Sequence, residues 1–395
     1  MKKILVVTEI FHPESGLIND FVKELVNNGY SVDVLTQFPS YPQGYVFPGY
    51  KNGLYMIEEW ESIMIHRFKV VEGYKDSLIK KMLNYWTFVR EGTKLALKIG
   101  NDFDEVFVYQ TGPLTLALPA LAIKKKFKKK VTIWTFDIWP DTVYSYGFPK
   151  VTPLAWFLNS IVRKVYNNCD NILVSSKGFI DSIRAYAPHK EITYAPNWMT
   201  SEDQEISSLE IDSSKTNFTF AGNISVSQNL KRVLLGWKMA GLPNSELNLV
   251  GDGSYLNALK QLVDSEKISN VSFHGRVPSG AVLAILEQSD VLILPLVAHQ
   301  GIEKTEPFKI QSYLQAKKPI MGVIRGGGRE IIENYGLGVC ADPIDIADIS
   351  EKFKQSLIFA KTNGKRVAEA SAELIETRFN KKKIVSTILK VLGEK

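Results

Sequence analysis

The sequence predicts an α/β protein built from two doubly wound, Rossmann-like domains. Three observations carry that expectation. Short β-branched or aromatic runs alternate with longer helical periodicities along the chain, the pattern of parallel strands joined by crossover helices. At 395 residues the chain exceeds what one hydrophobic core comfortably fills. A polar, acidic stretch over 199–216 interrupts the rhythm and divides it into halves.

The first strand is Lys3–Thr8, an Ile-Leu-Val-Val run too short for a signal peptide. Leu17–Asn27 follows with apolar residues at helical spacing, then the Val-rich strand Ser31–Thr36. Strands continue at Ile63–Phe68, Glu105–Gln110, Val131–Phe136, Ile172–Ser175 and Ile192–Ala195. Helical periods fill the gaps at Leu78–Ile99, Pro113–Phe127, Leu154–Tyr166 and Lys177–Tyr186. Beyond the break, strands are expected near Asn217–Ala221, Leu247–Val250, Val271–His274, Val291–Leu294, Pro319–Val323 and Val339–Ala341. A helix is expected over Ile310–Ala316, and the chain closes on helical pattern with basic Lys381–Lys383 and an amphipathic tail. The expected domains are 1–198 and 217–372, with a linker over 199–216 and a C-terminal helix, 373–395, that crosses back to the first domain.

An apolar fraction of 45% with 23% charged residues is ordinary for a globular protein. Cys169 and Cys340 have no metal-ligand spacing and read as buried thiols of a reducing compartment. The longest apolar stretch, Leu114 to Ile123, contains Pro119 and is far shorter than a membrane span. Net charge is +6, and five of those charges fall in residues 1–195, many of them in Lys124–Lys130. That run reads either as a solvated helix end or as a contact with an anionic membrane surface. Nucleic acid is not expected, because no basic groove with interleaved aromatics is present.

The residues suited to chemistry sit where strands end. Phe218–Ile224 and Leu247–Gly253 are strand–glycine–helix units, with Gly222-Asn223 at the first bend and Gly251-Asp252-Gly253 at the second. Glycine there lets a backbone approach a phosphate or base, and the following helix adds its positive end. The alternative is a tight turn without ligand. Leu256 replaces the third glycine of a dinucleotide fingerprint, so a single nucleotide is the better fit. Lys309 opens a helix, where a cation opposes the macrodipole unless an anion lies between them. Asp137 ends a central strand and either faces a ligand or caps the next helix, a task better suited to Asp141. His12 and Glu14 follow the first strand.

Read in order, Phe11-His-Pro-Glu-Ser-Gly16, Tyr41-Pro-Gln-Gly44, Asp137-Ile-Trp-Pro-Asp141, Ala195-Pro-Asn-Trp198, Gly222-Asn-Ile224, Gly251-Asp-Gly253, Asn270-Val-Ser-Phe-His-Gly-Arg276, Ser289-Asp-Val-Leu-Ile-Leu-Pro295 and Pro307-Phe-Lys-Ile-Gln-Ser-Tyr313 span nearly the whole chain. This series resembles glycosyltransferase family four, and within it the L-fucosamine transferases of O-antigen and capsule assembly. The resemblance implies the GT-B fold, two Rossmann-like domains facing across a cleft. It implies a retaining hexosyl or N-acetylhexosaminyl transfer from a UDP-sugar, N-acetyl-L-fucosamine or a similar sugar, to a polyprenyl-diphosphate-linked saccharide. No cofactor and no metal are expected.

The acceptor would lie on the first domain and the nucleotide-sugar on the second. Catalytic roles would fall to Asp137, Lys309, His12 and Glu14. The bends Gly222-Asn223 and Gly251–Gly253, with Arg276 and Val277, would bind the donor; Gly16 would meet it from the first domain. Lys304, Glu306, Pro307, Ile310 and Ser312 complete the donor set, with Arg325 as a further cation for phosphate.

The chain departs from the family at four places. Asn223 stands where Arg is common, Gln228-Asn229 where a Lys follows, Ser312 at the second glutamate, and Phe136 where a His often precedes the aspartate. Segment Tyr74–Arg90 mixes aromatics with basic residues; most of its apolar positions are expected in the core, the remainder forming with Lys124–Lys130 an edge on the membrane. The enzyme is accordingly expected at the inner face of the cytoplasmic membrane. Two other readings are a UDP-sugar epimerase of the same fold and a catalytically silent nucleotide-binding partner in a membrane assembly complex.

Overall fold

Strand and helix patterns alternate because each crossover returns the chain to the same sheet, and here they build two separate sheets. The computed structural model describes residues 1–145, 150–200 and 210–393. Its contacts divide the chain into two units, Met1–Asn197 with Ile384–Lys395, and Trp198–Lys383. Half of the expected linker, 201–209, lies outside the described residues; Ile211 is already buried and Thr216 opens a strand.

The first unit runs β1 (Lys3–Thr8), α1 (Leu17–Asn27), β2 (Ser31–Gln37), β3 (Tyr55–Trp60), β4 (Ile63–Phe68), α2 (Leu78–Ile99), β5 (Glu105–Gln110), α3 (Leu118–Phe127), β6 (Lys130–Thr135), α4 (Asp141–Ser145), α5 (Thr152–Asn168), β7 (Asn171–Val174), α6 (Phe179–Arg184) and β8 (Ile192–Tyr194). Its sheet has the order β3-β4-β2-β1-β5-β6-β7-β8. Every pairing is parallel except β3–β4, an antiparallel hairpin at the edge. The alternating pattern of the sequence does not announce β3, because Tyr55–Trp60 has no buried face. The central strand β1 is the opposite case: Ile4 to Val7 are wholly buried, as a strand covered on both faces must be.

In the second unit the order is β9 (Thr216–Ala221), α7 (Leu230–Ala240), β10 (Ser245–Val250), α8 (Leu256–Ser265), β11 (Val271–Gly275), α9 (Ser279–Glu287), β12 (Val291–Pro295), α10 (Gln300–Glu303), α11 (Lys309–Ala316), β13 (Ile320–Val323), α12 (Gly327–Asn334), β14 (Gly338–Ala341) and α13 (Ile346–Thr377). The sheet β11-β10-β9-β12-β13-β14 is parallel throughout. A last helix, α14 (Lys381–Val391), packs within the first unit from Ile384 onward, burying Ile388 and accepting the Lys2 ammonium at the Leu392 carbonyl.

Strand order decides where ligands go. The chain leaves β1 towards one edge and returns through β5 towards the other; it leaves β9 and returns through β12 in the same way. The carboxyl edges beside β1/β5 and β9/β12 are thus topological switch points, where open α/β sheets bind ligands. Over Tyr74–Arg90 the apolar positions do not mostly enter the core: Phe88 does, but Leu78, Ile79, Met82, Leu83 and Trp86 are exposed. Cys169 and Cys340 are buried free thiols, each pushed up to about 12 by burial.

Candidate active site

At the second unit's switch point two glycine bends lie against each other. Gly222, Gly251 and Gly253 have φ values of 144°, 136° and 157°, a region side chains rarely enter. A Cβ on Gly251 would sit 1.9 Å from the Gly222 carbonyl oxygen, and one on Gly253 would sit 2.3 Å from that of Ile224. The bend N–H groups are spent inside the fold: Gly222 donates to Val250 at 2.9 Å, Gly251 to Gly275 at 2.7 Å and Gly253 to the Asp252 carboxylate at 2.7 Å. That corrects the expectation that these three cradle a phosphate. The glycines instead clear space, and the Asn223 side chain closes against Gly253.

Lys309 fills that space. A Cβ on Gly222 would lie 2.5 Å from Lys309 Cε, so only glycine admits the lysine there. The ammonium lies 3.9 Å from the centroid of the Phe220 ring and donates to Gln228 Oε1. Among the described residues no carboxylate pairs with it. Burial alone lowers its pKa to about 7. The amine is largely buried at the first turn of α11, held by an amide and a ring face, an arrangement that can take an anion.

Other donor candidates do not gather around this lysine. Glu306 is tied to Arg378 at 2.9 Å, with its side chain 5% exposed, and so serves the fold rather than a ligand. Ile310 is wholly in the core, Val277 packs against the core, and Pro307 lies beside Gly328. Arg325 is held by both Asp342 oxygens at 2.9 and 2.7 Å, which removes it as a spare phosphate cation. Ser312 reaches Met199 Sδ at 3.4 Å, Arg276 is exposed just beyond β11, and Lys304 is partly buried at the end of α10.

The first unit has a matching arrangement. Glu9, the residue after β1, lays its carboxyl against the backbone beyond β5: a Cβ on Gly112 would meet Glu9 Oε2 at 2.4 Å. Burial and the Glu14 charge raise its pKa to about 7, while Lys81 and Lys75 oppose the shift. Asp137, beyond β6, is raised to about 6 by burial, against hydrogen bonds from the Thr142 hydroxyl and the Ile138 N–H. The Lys81 charge opposes the rise at Asp137 as it does at Glu9. The sequence motifs do not single out Glu9, Lys81 or Gly112. The signal for Glu9 was present, since it is the first polar group past a central strand, the criterion that selected Asp137.

Glu14 is corrected from reactive group to clamp. Its carboxylate is 4% exposed and accepts backbone N–H groups from Ser40 at 2.7 Å, Tyr41 at 2.6 Å and Phe11 at 3.2 Å, pinning the loop after β1 to the loop after β2. His12 stacks on Trp60 with ring centroids 4.4 Å apart, and burial followed by the Arg67 charge lowers its pKa. At Gly16 the backbone is extended, and a Cβ would meet only Ile18 at 3.8 Å, so nothing in the chain itself requires glycine.

Residues 201–373 match the family model described as Glycosyl transferases group 1. The chain is 21% identical over 393 residues, 91% of its length and 93% of the relative's, to the protein of Escherichia coli (strain K12) named as the colanic acid biosynthesis glycosyl transferase WcaI. Among solved structures it is similar to sucrose-phosphate synthase (tll1590) from Thermosynechococcus elongatus, with TM-score 0.74 at 13% identity over 99% of this chain and 98% of that one. It is likewise similar to Anabaena Alr3699/HepE in complex with UDP, with TM-score 0.69 at 12% identity over the whole of both chains.

Proposed function

We propose that this chain, which has the GT-B fold and whose residues 201–373 match the model described as Glycosyl transferases group 1, is a glycosyltransferase that moves a sugar from a UDP-sugar to a lipid-linked saccharide with retention at the anomeric carbon. The sugar of this reading is an N-acetylated deoxyhexose such as N-acetyl-L-fucosamine. The acceptor is a polyprenyl-diphosphate-linked saccharide of O-antigen or capsule assembly, met at the inner face of the cytoplasmic membrane. The name of the E. coli relative, which refers to colanic acid biosynthesis, supports the polysaccharide context, and the UDP in the Anabaena complex supports the base.

One observation carries the reading: Lys309, at the β9/β12 switch point, is buried against Gly222 and has no carboxylate partner among the described residues. A diphosphate supplies the anion that this amine lacks. As the bond from the anomeric carbon to the diphosphate oxygen breaks, charge grows on that oxygen and Lys309, steadied by Gln228, offsets it. The acceptor hydroxyl forms the new bond on the same face, and its proton passes to the departing diphosphate oxygen. Glu9 and Asp137, poised at about 7 and 6, orient that hydroxyl as hydrogen-bond partners. This reading calls on no metal, because Lys309 carries the charge compensation.

Lys309→Ala should cut turnover by roughly 100- to 1000-fold, the usual loss when a group facing the developing charge is removed. Circular dichroism should remain unchanged. An unaltered rate removes Lys309 from the mechanism. Asn223, Gln228 and Ser312, which stand where the family carries Arg, Lys and Glu, favour a second reading, a nucleotide-binding protein without transfer. UDP binding with neither donor hydrolysis nor transfer would select that reading.

A further inference from the structure

We propose that the α2–α3–α5 face of the first unit docks on an anionic phospholipid bilayer, with the first turns of α2 and α5 inserted as an apolar wedge. This deepens the reading above by naming the surface through which a lipid-linked acceptor is reached, and it does not depend on donor chemistry.

Two helices carry the same pattern. The outward stripe of α2 reads Leu78, Met82 and Trp86, then Arg90, Lys94 and Lys98: apolar for its first turns, cationic for the rest, and exposed throughout. Ile79 and Trp86 are 75% and 57% exposed, values that no solvated helix face needs. On α5, Trp156 and Phe157 are 73% and 56% exposed and precede exposed Arg163 and Lys164.

Both helices end just before a parallel strand, α2 before β5 and α5 before β7. Each therefore begins at the carboxyl edge of the sheet, the edge that carries Glu9 and Asp137. The two apolar ends lie at the reactive edge, and the cationic ends lie at the other.

Charge on this layer is one-signed. Together α2, α3 and α5 contain ten Lys or Arg and a single acidic residue, Glu91. At the amino edge, Lys124, Lys125, Lys128, Lys129, Lys130 and Lys164 line an open basin of about 420 Å³. Its one carboxylate, Asp170, is held by Lys124 at 2.6 Å. Nucleic acid would use the charge and leave the aromatic tips in water. A second copy of the chain would cover the tips but bring like charges together. A bilayer satisfies both, with aromatics at the interface and lysines among anionic headgroups.

Flotation of the full-length protein tests this directly, with vesicles of phosphatidylcholine alone and of phosphatidylcholine mixed with phosphatidylglycerol. Binding is expected only to the anionic vesicles, weakening as salt rises. Trp86→Ser with Trp156→Ser should lower partitioning about tenfold. Lys98→Glu with Lys164→Glu should lower it by roughly fivefold or more for each residue changed. Brominated lipid chains should quench the wild-type tryptophan emission more than that of the double tryptophan variant.

Three results would each overturn the proposal: no anionic flotation, flotation indifferent to both variant pairs, or sedimentation showing that the apolar ends join two copies. A UDP thermal shift on the same preparations keeps the outcomes separate. A retained shift without flotation removes the docking and leaves the transferase, whereas flotation without a shift does the reverse.

Discussion

Lys309 and Glu9 are opposite charges brought to nearly the same pKa by the same cause, burial beside a glycine at a switch point. Their effects on stability have opposite signs. The amine titrates at 10.5 unfolded and about 7 folded, so its burial cost is fully present below pH 7 and is relieved as pH rises towards 10.5. Lys309→Met should therefore raise the melting temperature near pH 7 in the absence of ligand, by a stability gain on the order of 3 kcal/mol. An incoming diphosphate restores the charge. At pH 8 to 9, UDP binding should take up about one proton, measured by calorimetry in buffers of different ionisation enthalpy. No uptake, or the same uptake in Lys309→Met, would separate the diphosphate from this lysine. Glu9 behaves conversely: its contribution is fully present below about 4.5 and lost as pH climbs through 7. Glu9→Gln should flatten that part of the stability profile and remove a rate limb near neutrality.

Among the elements, the strand-end loops show how a local motif and its role diverge. The glycines at positions 222, 251 and 253 were legible from sequence, because a bend after a β run needs their conformational range. That the Gly222 and Gly251 N–H groups are satisfied within the fold was not legible, since their partners, Val250 and Gly275, come from neighbouring strands. Gly251→Ala combines a positive φ with a Cβ 1.9 Å from backbone, and should cost about 3 kcal/mol or prevent folding, read by denaturant unfolding. The loop after β1 is legible as a site by its position, but the clamping role of Glu14 is not. Its two closest donors lie on the loop after β2, far along the chain. Glu14→Ala leaves buried N–H groups unpaired and should lower stability by about 2 to 3 kcal/mol. Measured by unfolding, a loss confined to activity would instead return Glu14 to the chemistry.

At the scale of the whole molecule, each sheet offers one switch point, with Glu9 at the first and Lys309 at the second. In the proposed reaction the second unit manages the leaving diphosphate and the first manages the acceptor. Donor transfer should then survive excess chelator, with radiolabelled sugar incorporation as the readout; a collapse in EDTA that Mg²⁺ restores would show that Lys309 does not carry the charge alone. Periodicity, turn chemistry and motif order by themselves determined the α/β class, nearly all the strands, the glycine bends and the place of Lys309 at a helix start, because these depend on residues close in sequence. Only the tertiary structure decided that β1 lies beside β5 and β9 beside β12, and so that Glu9 meets Gly112 and Lys309 meets Gly222. It alone showed Glu306 and Arg325 already engaged, and the first turns of α2 and α5 facing solvent. Pairing between distant segments fixes those outcomes, and a local pattern holds no record of which distant segment will arrive.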